Sequence, residues 1–257
     1  MADTNTFSVA GAKGGVGKTT TSLNLAAALA EVAETVVVEF DLAMANAVDF
    51  LAIDCAPDVD PTLHDVLGGT ATVSTATYEA PGGFDIVPSG STLDGYAETD
   101  PETLEPVVSA LASSYELVVI DVGAGLSRET LLPLGVADET VLVSTPRVAS
   151  VRDAEKTKGL VERVGGNVAG VVFAKSGTGT APDPERIASF LEIDLLGHVP
   201  DDSAVPASQD AGKPVLTHAP NSPAARAYVD IAEHLLEGSD VSDRPVTQEG
   251  QADRGRT

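Results

Sequence analysis

A glycine-rich loop near the N-terminus constrains the fold more than any other part of the chain. Residues 11–20 read Gly-Ala-Lys-Gly-Gly-Val-Gly-Lys-Thr-Thr. Glycines lack a Cβ atom, so successive backbone N–H groups can curl around an anion. In such a loop Lys18 reaches the β- and γ-phosphates of a nucleotide, and the Thr19 hydroxyl holds Mg²⁺. Lys13 is a second lysine that lies too early in the loop to do the same within one chain.

The flanking segments support a nucleotide site. Residues 7–10 form a short apolar run that predicts a buried strand, and residues 19–31 predict a helix with Leu25 and Leu29 four positions apart. A strand, a glycine loop and a helix N-terminus in this order favour phosphate, because the helix dipole is positive at that end. A glycine-rich turn without a ligand is the alternative, and this context disfavours it.

The rest of the chain alternates strand-like and helix-like segments. The strand-like runs are nearly continuously apolar, which is typical of a sheet covered by helices on both faces. They occupy residues 35–40, 116–120, 139–144, 167–174 and 195–199. Helical patterns lie at residues 101–113, 150–164, 184–191 and 224–237. This alternation predicts an α/β fold with a mostly parallel sheet.

Two regions are less regular. Within residues 56–100, segments 73–80 and 84–87 can form a hairpin or edge strands. Residues 238–257 are polar and acidic without apolar periodicity, so we expect a disordered tail after a single domain of residues 1–237.

Two aspartates follow or close strand-like runs, where parallel sheets place residues that contact ligands. Asp121 closes one run and is positioned to hold Mg²⁺ directly or through water. Asp41 follows another run and can align a water molecule by hydrogen bonding. The alternatives are a loop-start aspartate for Asp121 and a turn or helix-cap aspartate for Asp41.

Residues 13–20, Lys-Gly-Gly-Val-Gly-Lys-Thr-Thr, resemble the deviant Walker A motif of the MinD/ParA family of P-loop NTPases. The resemblance covers roughly residues 5–237, and Ala12 departs from the standard glycine of the P-loop pattern. It implies ATP and Mg²⁺ as cofactors, with Mg²⁺ held by Thr19 and Asp121. The implied nucleotide contacts within the loop are Ala12, Lys13, Gly14, Gly15, Val16, Gly17, Lys18, Thr19 and Thr20.

The resemblance also assigns roles outside phosphate binding. Asp41 would orient the water that attacks the γ-phosphate, and Gly125, in the segment Asp-Val-Gly-Ala-Gly at residues 121–125, would present its N–H to that phosphate. Lys13 would cross a dimer interface to the partner's phosphates and act with Lys18 and Asp41 in catalysis. A solvated lysine on the loop is the alternative for Lys13.

Two further segments resemble the family. Residues 144–153 are similar to a segment of MinD that begins a partner-facing helix, although charges at a helix start are often only solvated. Pro200 begins a turn that fits the family's base-side loop. Family members often place an asparagine where this chain has Lys175, so no base-reading residue is identified.

Composition narrows the possible partners. The 257 residues carry a net charge of −24, which repels nucleic acid. A halophilic cytoplasm explains this charge because salt near about 1 M shortens the Debye length to about 3 Å. A moderately acidic protein of an ordinary cytoplasm is the alternative. No signal sequence or apolar segment long enough to span a bilayer is found, so we expect a soluble cytoplasmic protein.

The leading hypothesis is an ATPase that acts as an ATP-dependent dimerisation switch, joins two copies of the chain and positions cellular machinery through a protein partner. The tail lacks the basic amphipathic helix of MinD proteins, so direct membrane binding is not expected. A ParA-type partitioning ATPase is the second reading, and a non-hydrolysing nucleotide-bound scaffold is the third. The single Cys55 disfavours an iron–sulfur carrier, and no tyrosine beyond Tyr228 supports a tyrosine kinase.

Overall fold

An eight-stranded sheet forms the centre of the molecule. The structure is a computed structural model, and it describes residues 5–125, 127–177 and 183–237. The strands are β1 (Asn5–Ala10), β2 (Thr35–Phe40), β3 (Tyr78–Glu79), β4 (Asp85–Val87), β5 (Leu117–Val122), β6 (Glu139–Ser144), β7 (Val168–Ser176) and β8 (Leu195–Pro200). Their order is β3-β4-β2-β5-β1-β6-β7-β8. All neighbouring pairs are parallel except β3 with β4.

Helices cover both faces of the sheet. They are α1 (Lys18–Leu29), α2 (Ala47–Phe50), α3 (Leu63–Leu67), α4 (Leu93–Glu98), α5 (Leu104–Ala112), α6 (Arg128–Val136), α7 (Val148–Arg163), α8 (Pro184–Leu191), α9 (Ala204–Asp210), α10 (Val215–His218) and α11 (Pro223–Glu237). Side chains alternate across the pleat, so each strand supplies residues to two separate cores. Phe7 and Val9 pack with α1 and α11 on one face, whereas Val118 and Ile120 pack with α5 on the other.

The predicted fold class is confirmed. Each long apolar run forms a strand, and the helices predicted at 101–113, 150–164, 184–191 and 224–237 are all present. The irregular region does contain an edge hairpin of β3 and β4, but residues Val73–Ala76 form a 3₁₀ helix instead of extended strand. The predicted tail at residues 238–257 lies outside the described residues, and the domain boundary at residue 237 remains a prediction.

The topology brings the candidate site residues together. β1 lies between β5 and β6, and β2 pairs with β5 on the other side. Because these strands are parallel, their carboxyl ends meet at one edge of the sheet. The glycine loop, Asp41 and Asp121 therefore converge there. Within the described ranges, no helix is both long enough and apolar enough to cross a membrane.

Candidate nucleotide-binding site

The glycine loop connects β1 to α1 at the carboxyl edge of the sheet. Gly17 precedes α1 with φ at 104°, a left-handed conformation that favours glycine. Gly11 passes so close to the neighbouring strand that an added Cβ would lie 2.5 Å from the Val143 carbonyl oxygen. The free N–H groups and positive dipole end of α1 point toward this loop, which suits an anion.

Lys18 is the first residue of α1 and is buried, with 7% of its surface exposed. Its Nζ donates to the Lys13 carbonyl oxygen at 3.4 Å. Burial lowers the pKa of Lys18, while the nearby carboxylates of Asp121 and Asp41 act in the opposite direction. A buried ammonium near two carboxylates can meet nucleotide phosphates.

Asp121 lies on β5 and is almost fully buried, with 1% exposed. The Ser22 hydroxyl donates to its Oδ1 at 2.8 Å, whereas Oδ2 has no hydrogen-bond partner among the described residues. Burial raises the pKa of Asp121 to about 6, although the Thr19 and Ser22 hydroxyls and Lys18 favour the charged form. A carboxylate oxygen without a partner, beside the Thr19 hydroxyl, suits a hard cation such as Mg²⁺.

Asp41 follows the last residue of β2 and faces Lys18. Its Oδ1 accepts a hydrogen bond from the Met44 amide at 3.2 Å. Burial raises the pKa of Asp41, and Lys18 partly offsets this shift. The backbone at Gly123 passes so near that an added Cβ would lie 3.1 Å from Asp41 Cγ. The carboxyl group is therefore held between β2 and the end of β5.

These elements surround a cavity of about 690 Å³. The residues predicted to bind nucleotide or catalyse that line it are Gly14, Gly15, Gly17, Lys18, Thr19, Thr20, Asp41 and Pro200. Other predicted residues are absent from this lining, namely Ala12, Lys13, Val16, Asp121 and Gly125. Val16 and Asp121 are buried beneath the surface. Ala124, rather than Gly125, lines the cavity in the segment after β5.

Lys13 points away from the cavity toward α7. Its Nζ lies 2.6 Å from Asp153 Oδ2, and 48% of the Lys13 side chain is exposed. The ion pair with Lys13 lowers the pKa of Asp153. In this state Lys13 is thus paired within its own chain, on the segment that resembles the partner-facing helix of MinD.

The sequence and structure of this chain match those of known proteins. A family model described as the CobQ/CobB/MinD/ParA nucleotide binding domain matches residues 7–215. The chain belongs to this family. An uncharacterized ATP-binding protein of Methanocaldococcus jannaschii is 36% identical over 232 residues, which cover 90% of this chain and 87% of that protein.

Relatives of the CobQ/CobB/MinD/ParA family with more specific names also match. The septum site-determining protein MinD of Escherichia coli is 30% identical over 244 residues, covering 89% of each chain. The structure of MinD from Pyrococcus horikoshii in complex with Mg-ADP superposes with a TM-score of 0.85 at 30% identity, covering 91% of this chain and 96% of that one.

The cavity lining also contains two residues that the sequence patterns did not assign to the site, Lys175 and Gln209. Lys175 adopts a left-handed backbone conformation with φ at 55°, and its Nζ donates to the Gly15 carbonyl oxygen at 2.9 Å. Gln209, on α9, donates through Nε2 to Thr20 Oγ1 at 2.9 Å. Gln209 lies 189 positions after Thr20 in sequence, and no local pattern indicates such a contact.

Glu39 is a second buried carboxyl group beside the site, two residues before Asp41 on β2. Its side chain is 1% exposed, and burial raises its pKa to about 7. Backbone amides of Asn46, Ser89 and Ala47 favour the charged form but do not cancel the effect of burial. Glu39 also pairs in register with Asp121 on β5, whose charge raises the pKa of Glu39 further.

The raised pKa of Glu39 predicts a pH dependence of stability in the chain free of nucleotide and Mg²⁺. Its pKa of about 7 exceeds the ordinary glutamate value of 4.5, so between these pH values the folded state binds more protons than the unfolded state. The stabilisation is full below pH 4.5 and is lost as pH rises through 7. Between pH 5 and 8 the free energy of unfolding should fall by roughly 2–3 kcal/mol more in wild type than in Glu39→Gln. Urea denaturation measures both slopes, and parallel curves would contradict this prediction.

Proposed function

We propose that this chain is an ATPase that acts as an ATP-dependent dimerisation switch and positions cellular machinery, such as a division site or polar structures, through a protein partner. One observation carries the proposal: a two-lysine glycine loop places buried Lys18 between Asp41 and Asp121 at the rim of a cavity of about 690 Å³. Named relatives that match most of the chain, including MinD of E. coli, support the positioning role.

Nucleotide binding would rely on the loop and the two carboxylates. Backbone N–H groups of the loop and the Lys18 ammonium would hold the β- and γ-phosphates. Thr19 and Asp121 would hold Mg²⁺, which, when bound, neutralises charge that develops on the phosphates. Asp121 Oδ2 is available for this role because it has no hydrogen-bond partner among the described residues.

Hydrolysis would depend on Asp41. Its carboxylate lies at the cavity wall and accepts hydrogen bonds from the Met44 and Ala124 amides, which would hold it in place to orient a water molecule. Burial raises the pKa of Asp41, which makes the carboxylate a better proton acceptor than a solvated aspartate. ADP and phosphate would be the products.

Dimerisation would use Lys13. In a second copy bound face to face, its ammonium would exchange Asp153 for the partner's triphosphate. The exchange is favourable because a triphosphate carries more negative charge than one carboxylate and because the Lys13 side chain is half exposed, which weakens its ion pair with Asp153. ADP attracts the lysine less, so hydrolysis would separate the copies and a protein partner would distinguish the two states.

Asp153→Asn is expected to tighten ATP-dependent dimerisation by at most about fivefold, because an ion pair with a half-exposed lysine contributes little. Sedimentation velocity over a range of protein concentrations in Mg-ATP measures the change. Glu155→Gln, an exposed change on the same helix, is the matched control. Weaker dimerisation of Asp153→Asn than of Glu155→Gln would show that Asp153 helps the interface instead of competing with it.

A partitioning role on DNA has less support. Such a protein needs a basic surface, whereas this chain carries a net charge of −24.

Phosphate release from Mg-ATP by the purified chain tests the enzymatic part of the proposal. KCl concentrations up to about 1 M are included because of the net charge of −24. ATP binding without any release of phosphate would favour a nucleotide-bound scaffold instead.

A further inference from the structure

The cavity wall next to Asp41 is a loop of residues 41–46, which we call the Asp41 loop. Ala43, Met44 and Asn46 of this loop line the cavity together with Asp41 itself. The loop has no strand partner of its own, because β2 ends at Phe40 and α2 begins at Ala47. Its geometry therefore depends on hydrogen bonds within the loop, such as that from the Met44 amide to Asp41 Oδ1, and on contacts at its two ends.

Glu39 holds the far end of the Asp41 loop. Its Oε1 accepts hydrogen bonds from the backbone amides of Asn46 and Ala47, both at 2.7 Å. Its Oε2 accepts the Ser89 amide at 3.0 Å, and the Ser89 hydroxyl donates to the Glu39 carbonyl oxygen at 3.0 Å. One buried carboxylate thus joins β2, the end of the Asp41 loop and the segment after β4.

His64 holds the near end. Its ring is buried, and Nε2 donates to the Leu42 carbonyl oxygen at 3.0 Å. His64 lies on α3 and is not among the residues that line the cavity. Glu39 and His64 therefore hold the two ends of the Asp41 loop by hydrogen bonds, and neither side chain lines the cavity.

Two polar residues of the loop, Asp41 and Asn46, line the cavity. Asp41 lies beside Lys18, and Asn46 Oδ1 is buried without a hydrogen-bond partner among the described residues. The Asn46 backbone amide donates to the Glu39 carboxylate, so the position of the Asn46 side chain depends on Glu39. A displacement of about 1 Å at a reacting group can cost about 100-fold in rate.

We propose that Glu39 is a positioning residue for ATP hydrolysis: its carboxylate fixes the Asp41 loop so that Asp41 and Asn46 face the bound triphosphate. This inference rests on the proposed function. Glu39 touches neither the cavity nor the Lys18 ammonium by hydrogen bond. Its loss therefore affects turnover, while the phosphate contacts made by the glycine loop are retained.

Two substitutions at Glu39 separate this role from a general structural one. Glu39→Gln keeps an acceptor for Asn46 and Ala47 but turns an amide donor toward the Ser89 N–H, and it should lower turnover about tenfold. Glu39→Ala removes all three contacts and should lower it about 100-fold. The dissociation constant of Mg-ATP should stay within about threefold of wild type in both. Glu139→Gln, a partly buried change at the amino end of β6, is the matched control.

Amide hydrogen exchange supplies a readout that does not depend on hydrolysis. In Glu39→Gln the Ser89 amide should exchange faster, and in Glu39→Ala those of Asn46 and Ala47 as well, while Val37 and Val38 within β2 stay protected. Equal loss of ATP binding and turnover, or loss of protection along β2, would overturn the proposal. If wild type binds Mg-ATP without hydrolysing it, the proposed function fails. In that case, amide exchange of the Glu39 variants in the ATP-bound state still tests whether Glu39 fixes the Asp41 loop. Faster exchange at these amides supports the inference, and unchanged exchange overturns it.

Discussion

Replacing Lys18 by alanine is expected to weaken Mg-ATP binding by at least about 100-fold. Charge-assisted hydrogen bonds contribute about 1.5–3 kcal/mol each, and in the proposed function Lys18 would make one to each of two phosphates. The substitution also leaves Asp41 and Asp121 without their nearby cation, so their negative charge would repel the triphosphate. Isothermal titration calorimetry with Mg-ATP measures the loss.

The matched control for this prediction is Lys213→Ala, which removes an exposed lysine outside the cavity lining. It should bind Mg-ATP as wild type does. Because buried Asp121 and half-buried Asp41 lose their counter-charge, thermal unfolding followed by circular dichroism must establish that Lys18→Ala remains folded. A folded Lys18→Ala variant that binds Mg-ATP within about threefold of wild type would show that the nucleotide lies elsewhere.

Replacing Asp41 by alanine is expected to lower ATP hydrolysis by about 100-fold or more, because a positioned proton acceptor contributes about 10²–10⁴-fold in rate. Binding should change little. Asp41 makes no contact that the glycine loop needs, and removing a negative charge near the phosphates favours binding if anything. Single-turnover release of phosphate measures the chemical step separately from product release.

Asp49→Ala is the control for the Asp41 substitution. It removes an exposed aspartate on α2, immediately after the same loop. It should hydrolyse ATP at the wild-type rate. Hydrolysis by Asp41→Ala within about threefold of wild type would remove Asp41 from the reaction and leave the attacking water to another group.

The sequence predicts the central strands well because burial on both faces makes them nearly continuous apolar runs. The run at residues 35–40 and that at 139–144 match β2 and β6 at both ends. The helix predicted at 184–191 also matches α8, where Asp183 caps the Glu185 amide and proline occupies the first turn. These elements carry their boundary signals within a few residues.

Other helices give weaker signals. α2, α3 and α10 have four or five residues, too few to repeat an apolar period. α6 contains Pro133, which normally ends a helix pattern. Their positions depend on tertiary contacts, as when Glu39 accepts the first amide of α2.

The candidate site also contains residues that the sequence predicts and contacts that it does not. The glycine loop and the two aspartates are readable because each follows or ends an apolar run. Three other contacts of the site join residues that lie 50 to 160 positions apart. They are the ion pair of Lys13 with Asp153, the hydrogen bond of Lys175 to Gly15 and the hydrogen bond of the Ser89 amide to Glu39. Such contacts depend on the folded topology and have no local sequence pattern.

The mass of Asp41→Ala in solution tests most directly the claim that ATP joins two copies of this chain. The variant should bind Mg-ATP without hydrolysing it, so sedimentation equilibrium should give about twice the 26.2 kDa of one chain. In Mg-ADP the mass should return to that of one chain, and adding Lys13→Ala should abolish the ATP-dependent increase. A mass of 26.2 kDa in saturating Mg-ATP, with binding verified by calorimetry, would contradict the account.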